Sequence, residues 1–331
     1  NGTMVTAQAG FDSSLYGLNP SLADIRAGET HSMYELICAM MIHSGNDAAL
    51  AVGYYLGGGD LENFYRKMNA KAREIGALET NFASVNGLTE TNNYSTAYDI
   101  YLIARYAMDI PGFMDICSMT RYQIEENETR AGKLMITTNK LQEPNHQYYY
   151  PDARGIKTGY TEQAGRCLVS TATRNGLSYL LVVMGCPTTD ASGETLEARM
   201  HFVDSINLYD WAFDTFEIKE LLSNQDWVAE VPLTLAWNKD FLRVKPAETF
   251  SYLVPKDIDA ASVERHVITE TSVEAPVTEG TILGKIDLIL AGETIGQVDL
   301  IAVESVERSS LLALVAQVQG IFGSIWFKVA L

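Results

Sequence analysis

The chain has 331 residues, which is enough for two domains with separate hydrophobic cores. Its hydrophobic content of 47% and charged content of 20% are those of a globular protein and exclude wholesale disorder. The formal net charge of −18 argues against nucleic acid as a partner, because binding to phosphates requires a basic face.

The first third of the chain is predicted to be mostly helical. Ser32 and Glu35 form a capping-box pattern at the start of an apolar helix, and Asp60 is placed to cap another. Before them, residues 3 to 30 alternate short apolar pieces with turn residues, as strands and loops do. The predicted helices cover residues 32–43, 47–57, 60–76 and 95–108.

The tripeptide Ser44-Gly45-Asn46 falls in the short break between the first two predicted helices. A hydroxyl and a carboxamide held between two buried helices would be fixed in position, which a functional site requires. A structural alternative for Asn46 is the N-cap of the second helix, where asparagine is common.

After residue 119 the hydrophobic period changes toward two, which predicts strands. A hairpin around Ala131-Gly132 is followed by strands over residues 167–172 and 177–184, and a long helix over residues 194–216 closes the domain. Helices packed on one antiparallel sheet make an α+β architecture.

The segment Gly155-Ile156-Lys157-Thr158-Gly159-Tyr160-Thr161 is predicted to start an edge strand of this sheet. Lys157 and Thr158 would supply a positive charge and a hydrogen-bond donor for a carboxylate, while Gly159 would let a ligand approach the main chain. This combination suits an extended peptide with a free C-terminus that lies along the strand. The structural alternative is a simple turn between two strands.

Beyond a predicted boundary at residues 216–226, seven short apolar runs are separated by proline and glycine, as in a small β-sandwich. They lie at residues 228–237, 241–244, 250–254, 263–268, 273–275, 282–290 and 297–303.

The last stretch, residues 309–331, is apolar except for one helical stripe of polar residues. That stripe is formed by Ser310, Gln317, Ser324 and Lys328. The stripe favours a helix lying in a membrane interface over one that spans the bilayer. An amphipathic helix packed on the sandwich is the alternative without a membrane.

The segments at 43–49 and 155–161 together resemble the second and third motifs of the serine-type D-alanyl-D-alanine carboxypeptidases, the low-molecular-mass penicillin-binding proteins. Val85-Asn86-Gly87-Leu88, Ser95-Thr96-Ala97-Tyr98-Asp99 and Asn139-Lys140-Leu141 are also similar to that family. The resemblance covers nearly the whole chain. It implies a penicillin-binding, β-lactamase-like transpeptidase domain at 1–216, an all-β domain at 217–308 and an amphipathic membrane-anchor helix at 309–331.

The resemblance also implies the chemistry. The family removes the terminal D-alanine from peptidoglycan stem peptides through an acyl-enzyme and is inhibited by β-lactams. Ser44 would relay a proton, Asn46 would hold the substrate amide and Lys157 would supply positive potential. Thr158 would bind the terminal carboxylate beside Gly159, and the backbone N–H of Tyr160 would form half of the oxyanion hole.

One departure from the family pattern concerns the nucleophile, which is the serine of a Ser-x-x-Lys motif. No serine in this sequence is followed three residues later by lysine. We therefore expect an N-terminal part of the catalytic domain to be missing and the chain as written to be inactive. An inactive peptidoglycan-binding module is the competing hypothesis, and a β-lactamase is a less favoured one.

The remaining expectations concern ligands and compartment. The four cysteines lack metal-ligand spacing and are interpreted as small buried hydrophobes, so no metal is expected, and the chemistry needs no organic cofactor. The resemblance implies an extracytoplasmic protein attached to the outer face of the cytoplasmic membrane. Its partners would be stem peptides ending in D-Ala-D-Ala, β-lactams and the membrane surface, with no nucleic acid.

Overall fold

A computed structural model describes residues 2–126 and 130–329, with only the backbone described for residues 320–329. The chain divides into two compact units, one ending at Phe213 and the other beginning at Asp214. The first unit combines helices with antiparallel sheets, and the second is rich in β-strands, so the predicted α+β class is confirmed.

The helices of the first unit begin where the sequence supplies caps. The Ser32 hydroxyl accepts from the Glu35 N–H while the Glu35 carboxylate accepts from the Ser32 N–H, so the predicted capping box is confirmed. Asp60 caps the third helix as predicted, and Thr96 caps the fourth. The helices are α1 Met33–Ile42, α2 Asn46–Gly57, α3 Leu61–Glu74, α4 Ala97–Met108, α5 Phe113–Cys117 and α6 Met200–Thr215.

Three antiparallel sheets complete the first unit. The largest has the order β5-β6-β7, and within the described residues β5 is one of its two edge strands. The predicted hairpin around Ala131-Gly132 is confirmed as the pair β3 and β4. The strands are β1 Met4–Thr6, β2 Thr30–Ser32, β3 Arg121–Ile124, β4 Lys133–Ile136, β5 Ala153–Thr161, β6 Gly165–Arg174 and β7 Leu177–Cys186.

The two faces of the β5-β6-β7 sheet pack on different helices. Leu168 and Ala172 of β6 belong to a buried cluster with Phe202 and Tyr209 of α6. On the other face, Ile156 of β5 packs with Ala104 of α4 and Cys117 of α5. The outer edge of β5 pairs with no strand among the described residues, so it can offer backbone groups to a ligand.

The cysteines agree in part with the predicted buried state. Cys38, Cys117 and Cys186 are buried and free, whereas Cys167 is only half-buried.

The second unit has one large and one small antiparallel-paired sheet, with one short parallel contact. The six-stranded sheet has the order β12-β14-β15-β10-β9-β13, and β8 pairs with β11 in a separate ribbon. Leu221 of β8 and Val254 of β11 share a buried cluster with Leu300 of β15, so the two sheets enclose one core. The strands are β8 Phe216–Leu222, β9 Ala229–Thr234, β10 Phe241–Pro246, β11 Phe250–Pro255, β12 Glu264–Thr269, β13 Val273–Glu274, β14 Ile282–Leu290 and β15 Glu293–Ala302.

The predicted long helix over residues 194–216 is wrong at its start, because α6 begins at Met200. The preceding residues form a loop in which one carboxylate oxygen of Asp190 accepts from the N–H groups of Ser192 and Glu194. This local turn gives the backbone an alternative to helical hydrogen bonds, and Gly193 with a positive φ continues it.

The segment at 216–226, predicted to be a boundary linker, contains strand β8. The charged residues Glu217, Lys219 and Glu220 leave the segment without an alternating apolar pattern, yet Leu221 and Leu222 are buried.

The chain continues into α7, Ser310–Val329. Within the described residues, no helix combines the length and apolar content needed to cross a bilayer. The predicted polar stripe is only partly open to description, because the side chains of Ser324 and Lys328 lie outside the described residues.

Candidate active site

The structure brings together the two motifs that the sequence singled out. The Lys157 ammonium donates to the Ser44 hydroxyl over 2.8 Å although the residues are 113 positions apart. It also donates to the carbonyl of Thr158 over 2.7 Å. Ser44 follows α1, while Lys157 lies on β5, so helices and sheet each contribute one member of the pair.

The buried carboxylate of Asp47 connects the link between α1 and α2 to an earlier loop of the chain. Asp47, in the first turn of α2, accepts from the backbone N–H groups of Ala23 and Ile25 over 2.8 Å each. An anion in the first turn of a helix is stabilised by the orphan N–H groups there. The loop carrying Ala23 is thereby fastened to the start of α2, next to Ser44.

Asn46 lines the cavity beside Ser44 and is buried, with 8% of its surface exposed. Its side-chain amide donates to the carbonyl of Ser21 over 2.9 Å. The N-cap position of α2 is Gly45, and Asn46 makes no capping hydrogen bond, so the N-cap interpretation is wrong. The Asn46 carboxamide is instead held by a loop carbonyl and is open to the cavity.

Thr158, Gly159 and Tyr160 continue along β5, and all three line the same cavity. The Thr158 hydroxyl lies 2.5 Å from the hydroxyl of Thr138, and Tyr160 is half-exposed. Since β5 pairs only with β6 among the described residues, its other edge can offer backbone N–H and C=O groups to an extended ligand.

A pair of buried amides fixes the start of this strand. The carbonyl of Gly155 accepts from Asn139 over 2.5 Å, and its N–H donates to Gln142 over 3.0 Å. The pairing of β5 with β6 shifts between Arg154 and Lys157, so Gly155 lies in a bulge outside the ladder. A Cβ added at Gly155 would lie 3.1 Å from that of Cys117, and its φ is 48°, so both space and backbone favour glycine.

Burial sets the charge state of the central amine. Removal from solvent lowers the pKa of Lys157 to about 8, and the neighbouring Cys117 opposes this shift. Lys157 is therefore mostly charged at neutral pH and loses its charge as the pH rises through about 8.

The pair opens into a cavity of about 930 Å³, which is large enough for a short peptide. Three of its lining residues were not singled out from the sequence: Arg166 on β6, Arg199 just before α6 and His201 on α6. His201 is buried, and that burial lowers its pKa to about 4, with Arg166 and Arg199 adding to the effect. No sequence signal identified them, because each is isolated in sequence and only folding brings it to the motifs.

The described residues place Ser44, Asn46, Lys157, Thr158, Gly159 and Tyr160 around this one cavity. Over the same residues, no three histidine, cysteine, aspartate or glutamate side chains converge as a metal site would require. A half-buried amine, a hydroxyl, a carboxamide and a free strand edge are groups that can bind a peptide and move protons.

Comparison with known families gives two matches, one in each unit. Residues 13–188, more than half of the chain, match the D-alanyl-D-alanine carboxypeptidase family. Residues 216–308 match the C-terminal domain of penicillin-binding protein 5.

Individual relatives agree with these matches. The chain is 27% identical to the D-alanyl-D-alanine carboxypeptidase DacF of Bacillus subtilis, over 89% of this chain and 72% of that protein. It is 28% identical to DacC of Escherichia coli, over 92% of this chain and 69% of the relative.

The structure is similar to the crystal structure of penicillin-binding protein 5 from Haemophilus influenzae, with a TM-score of 0.63 and 25% identity. That similarity covers 92% of this chain and 83% of the other. The chain therefore belongs to the D-alanyl-D-alanine carboxypeptidase family of low-molecular-mass penicillin-binding proteins, a family of serine-type hydrolases.

Proposed function

We propose that the cavity around Ser44 and Lys157 binds a stem peptide ending in D-Ala-D-Ala and supports removal of its last residue. The observation that carries the proposal is the contact of 2.8 Å between Lys157 and Ser44 beside a free strand edge. The peptide would lie along β5, which turns recognition of its backbone into strand addition.

Each predicted residue has a role in this proposal. The charged Lys157 and the Thr158 hydroxyl bind the terminal carboxylate, and Asn46 holds the amide of the substrate backbone. The N–H of Tyr160 donates to the scissile carbonyl oxygen, where a donor is worth roughly 3 kcal/mol of barrier. Ser44, hydrogen-bonded to Lys157, passes a proton to the leaving nitrogen.

The chemistry is acyl transfer in two steps. The serine hydroxyl of the family's Ser-x-x-Lys motif adds to the carbonyl carbon, the C–N bond breaks, and free D-alanine leaves after its nitrogen takes up a proton. Water then hydrolyses the ester. We assign the nucleophile to no residue among the 331, because none of the serines has a lysine three positions later.

The test is intact-mass analysis after benzylpenicillin treatment of the 331-residue chain and of the product of the complete reading frame. We expect an acyl adduct on a product that contains Ser-x-x-Lys and none on residues 1–331. A folded complete product without an adduct would favour the inactive peptidoglycan-binding module.

In the complete product, Lys157→Ala should abolish turnover without unfolding the protein, whereas Lys245→Ala on β10 should not affect turnover.

The substrate places the reaction outside the cytoplasm, where peptidoglycan lies. We propose that residues 1–216 form the catalytic domain, that 217–308 form a spacer and that helix 309–331 attaches the protein to the outer face of the cytoplasmic membrane. Support comes from α7, on which Leu311, Leu314, Val315 and Val318 share one face at helical spacing and are 43 to 58% exposed. Such a face binds a membrane interface through buried apolar area.

Membrane attachment is tested by sedimenting the protein with vesicles of anionic and zwitterionic lipid. Leu311→Ser combined with Leu314→Ser should release the protein into the supernatant, since two apolar anchors are lost. Ser310→Ala, on the same turn, should leave binding unchanged. Equal sedimentation of the double variant and the unmodified protein would exclude this face as the attachment.

A further inference from the structure

The candidate active-site cavity is cationic although the protein is strongly acidic. Its described lining includes Lys157, Arg166 and Arg199 but neither aspartate nor glutamate, in a chain of net charge −18. A cleft lined by one sign of charge concentrates ligands of the opposite sign. One peptide carboxylate accounts for Lys157 and Thr158 in the proposed function, which leaves two guanidinium groups unassigned.

Within the described residues, neither of these two guanidinium groups forms an ion pair with a carboxylate. The ion pairs that arginine makes within the described residues belong to Arg130, Arg174 and Arg243. Arg166 instead lies over the Tyr160 ring, with 4.9 Å between the guanidinium carbon and the ring centre. A stacked guanidinium keeps its N–H donors available at its edge, where a carboxylate can accept two of them.

The position of Arg166 along the sheet indicates which part of a peptide it would meet. Arg166 is paired with Tyr160 in the register of β5 and β6, three residues further along β5 than Lys157. At about 3.3 Å per residue, this is roughly 10 Å along the strand from the backbone of Lys157.

The proposed binding mode fixes the direction of the peptide. With its carboxylate at Lys157 and its scissile carbonyl at the N–H of Tyr160, the peptide runs antiparallel to β5. The residue that precedes the two D-alanines then lies beyond Tyr160, beside Arg166. Its side chain is therefore the group that the unassigned positive charge would contact.

The neighbouring imidazole of His201 is a second observation that points to a polar subsite here. His201 has 3% of its surface exposed, and within the described residues its Nδ1 has no hydrogen-bond partner. A buried polar atom without a partner is costly and in native proteins is commonly satisfied by water or a ligand. Both arginines lie close enough to His201 to lower its pKa, so the three side chains form one wall.

We propose that this wall selects stem peptides in which the residue before D-Ala-D-Ala carries a free carboxylate at the end of its side chain. Arg166 binds that carboxylate, and Arg199 supports it through the shared positive potential. The inference rests on the proposed function, because the binding direction comes from the terminal carboxylate at Lys157. It goes further by naming the chemistry of the adjacent residue.

The experiment measures kcat/KM of the complete protein for three acylated tripeptides X-D-Ala-D-Ala. The side chain of X ends in a carboxylate, in the corresponding primary amide, or in an ammonium, at matched length. We expect the carboxylate peptide to be favoured over the amide by about tenfold, and the ammonium peptide to be the poorest substrate. Raising the ionic strength should reduce the first ratio.

Three variants distinguish a specific contact with Arg166 from an effect of the overall positive charge. Arg166→Gln should bring the ratio of carboxylate to amide to within about twofold of one, whereas Arg166→Lys should retain part of the preference. Arg154→Gln removes the same charge from β5 outside this cavity and should leave the ratio unchanged. If Arg166→Gln does not fold, the ratio of the unmodified protein and its salt dependence still decide.

A ratio near one in the unmodified protein, or a ratio retained in folded Arg166→Gln, would overturn the inference. Benzylpenicillin adduct formation in the same preparations would then show that the proposed function stands without it. Failure of both the adduct and all peptide turnover would remove the proposed function and this inference together.

Discussion

Ser44 combines an unfavourable backbone conformation with a position in the candidate active site. Its backbone has a φ of 62°, in the left-handed region that non-glycine residues seldom adopt. That conformation costs roughly 1 to 2 kcal/mol for a residue with a Cβ. The turn places the Ser44 hydroxyl within 2.8 Å of Lys157, so strain and site geometry coincide at one position.

This coincidence predicts opposite effects on stability and activity. Ser44→Gly should unfold with a free energy about 1 kcal/mol higher than Ser44→Ala, because both lose the hydroxyl but only glycine relieves the left-handed backbone. In a product that contains Ser-x-x-Lys, both variants should lose most acylation by benzylpenicillin. Urea unfolding of the two variants measures the difference, and equal stabilities would show that the turn is unstrained.

Lys157 predicts a pH dependence with a definite sign. Burial lowers its pKa to about 8, so the charged form that attracts a carboxylate is present below that pH and is lost above it. The second-order rate of acylation in the complete protein should therefore fall about tenfold per pH unit well above 8.

The control for this prediction is Lys157→Arg, which keeps a positive charge throughout the accessible range. Its rate should be lower but should not show the same alkaline decrease. An identical decrease in both proteins would assign the titration to another group.

At the scale of elements, sequence patterns succeeded where local signals and burial agree. The capping box at Ser32 and the hairpin around Gly132 were predicted because each has a short-range chemical cause. The start of α6 was wrong because the turn at Asp190 competes with a helix. Strand β8 was missed because its charged residues leave it without an alternating apolar pattern.

The candidate site shows the same division. Residues in the two motifs were predicted from their chemistry at close spacing, and the fold brings them together. Arg166 and His201 could not be predicted, because they come close to Lys157 only when the chain folds and brings β6 and α6 to the cavity beside β5. Gln142, whose carbonyl oxygen holds the Gly155 N–H, was missed for the same reason.

The hydrogen bonds that Asn139 and Gln142 form with the backbone of Gly155 lead to a prediction about strand β5. Asn139→Ala should leave the Gly155 carbonyl buried without its donor, which costs about 1 to 3 kcal/mol of unfolding free energy. Because Gly155 lies two residues before Lys157, a shift of the strand of about 1 Å should lower kcat by up to about 100-fold. KM should change less, since the terminal carboxylate still finds a charge.

Lys140→Ala is the matched control, because it lies on the same short turn but pairs with Glu143 away from Gly155. It should change neither stability nor kcat by a measurable amount. A fall in stability of Asn139→Ala without any fall in kcat would show that Asn139 is structural and does not position Lys157.

At the scale of the whole molecule, each of the two units has its own buried hydrophobic clusters. The buried cluster of the second unit contains residues from Leu221 to Ala302 and none from before Asp214. The clusters of the first unit all end by Phe213. Since folding is driven mainly by apolar burial, each unit has its own source of stability.

Residues 214–308 are therefore expected to fold alone. This fragment should unfold cooperatively with an enthalpy of roughly 65 kcal/mol near 60 °C, the value typical for its length. In the complete protein, Ile286→Ala should cost about 2 to 5 kcal/mol, because Ile286 is fully buried in that core. This variant should lower the temperature of one calorimetric unfolding transition. Benzylpenicillin acylation should continue at its normal rate, because the candidate active-site cavity lies in the other unit. Loss of acylation at a temperature where only the second unit has unfolded would instead show that the catalytic unit depends on it for its fold.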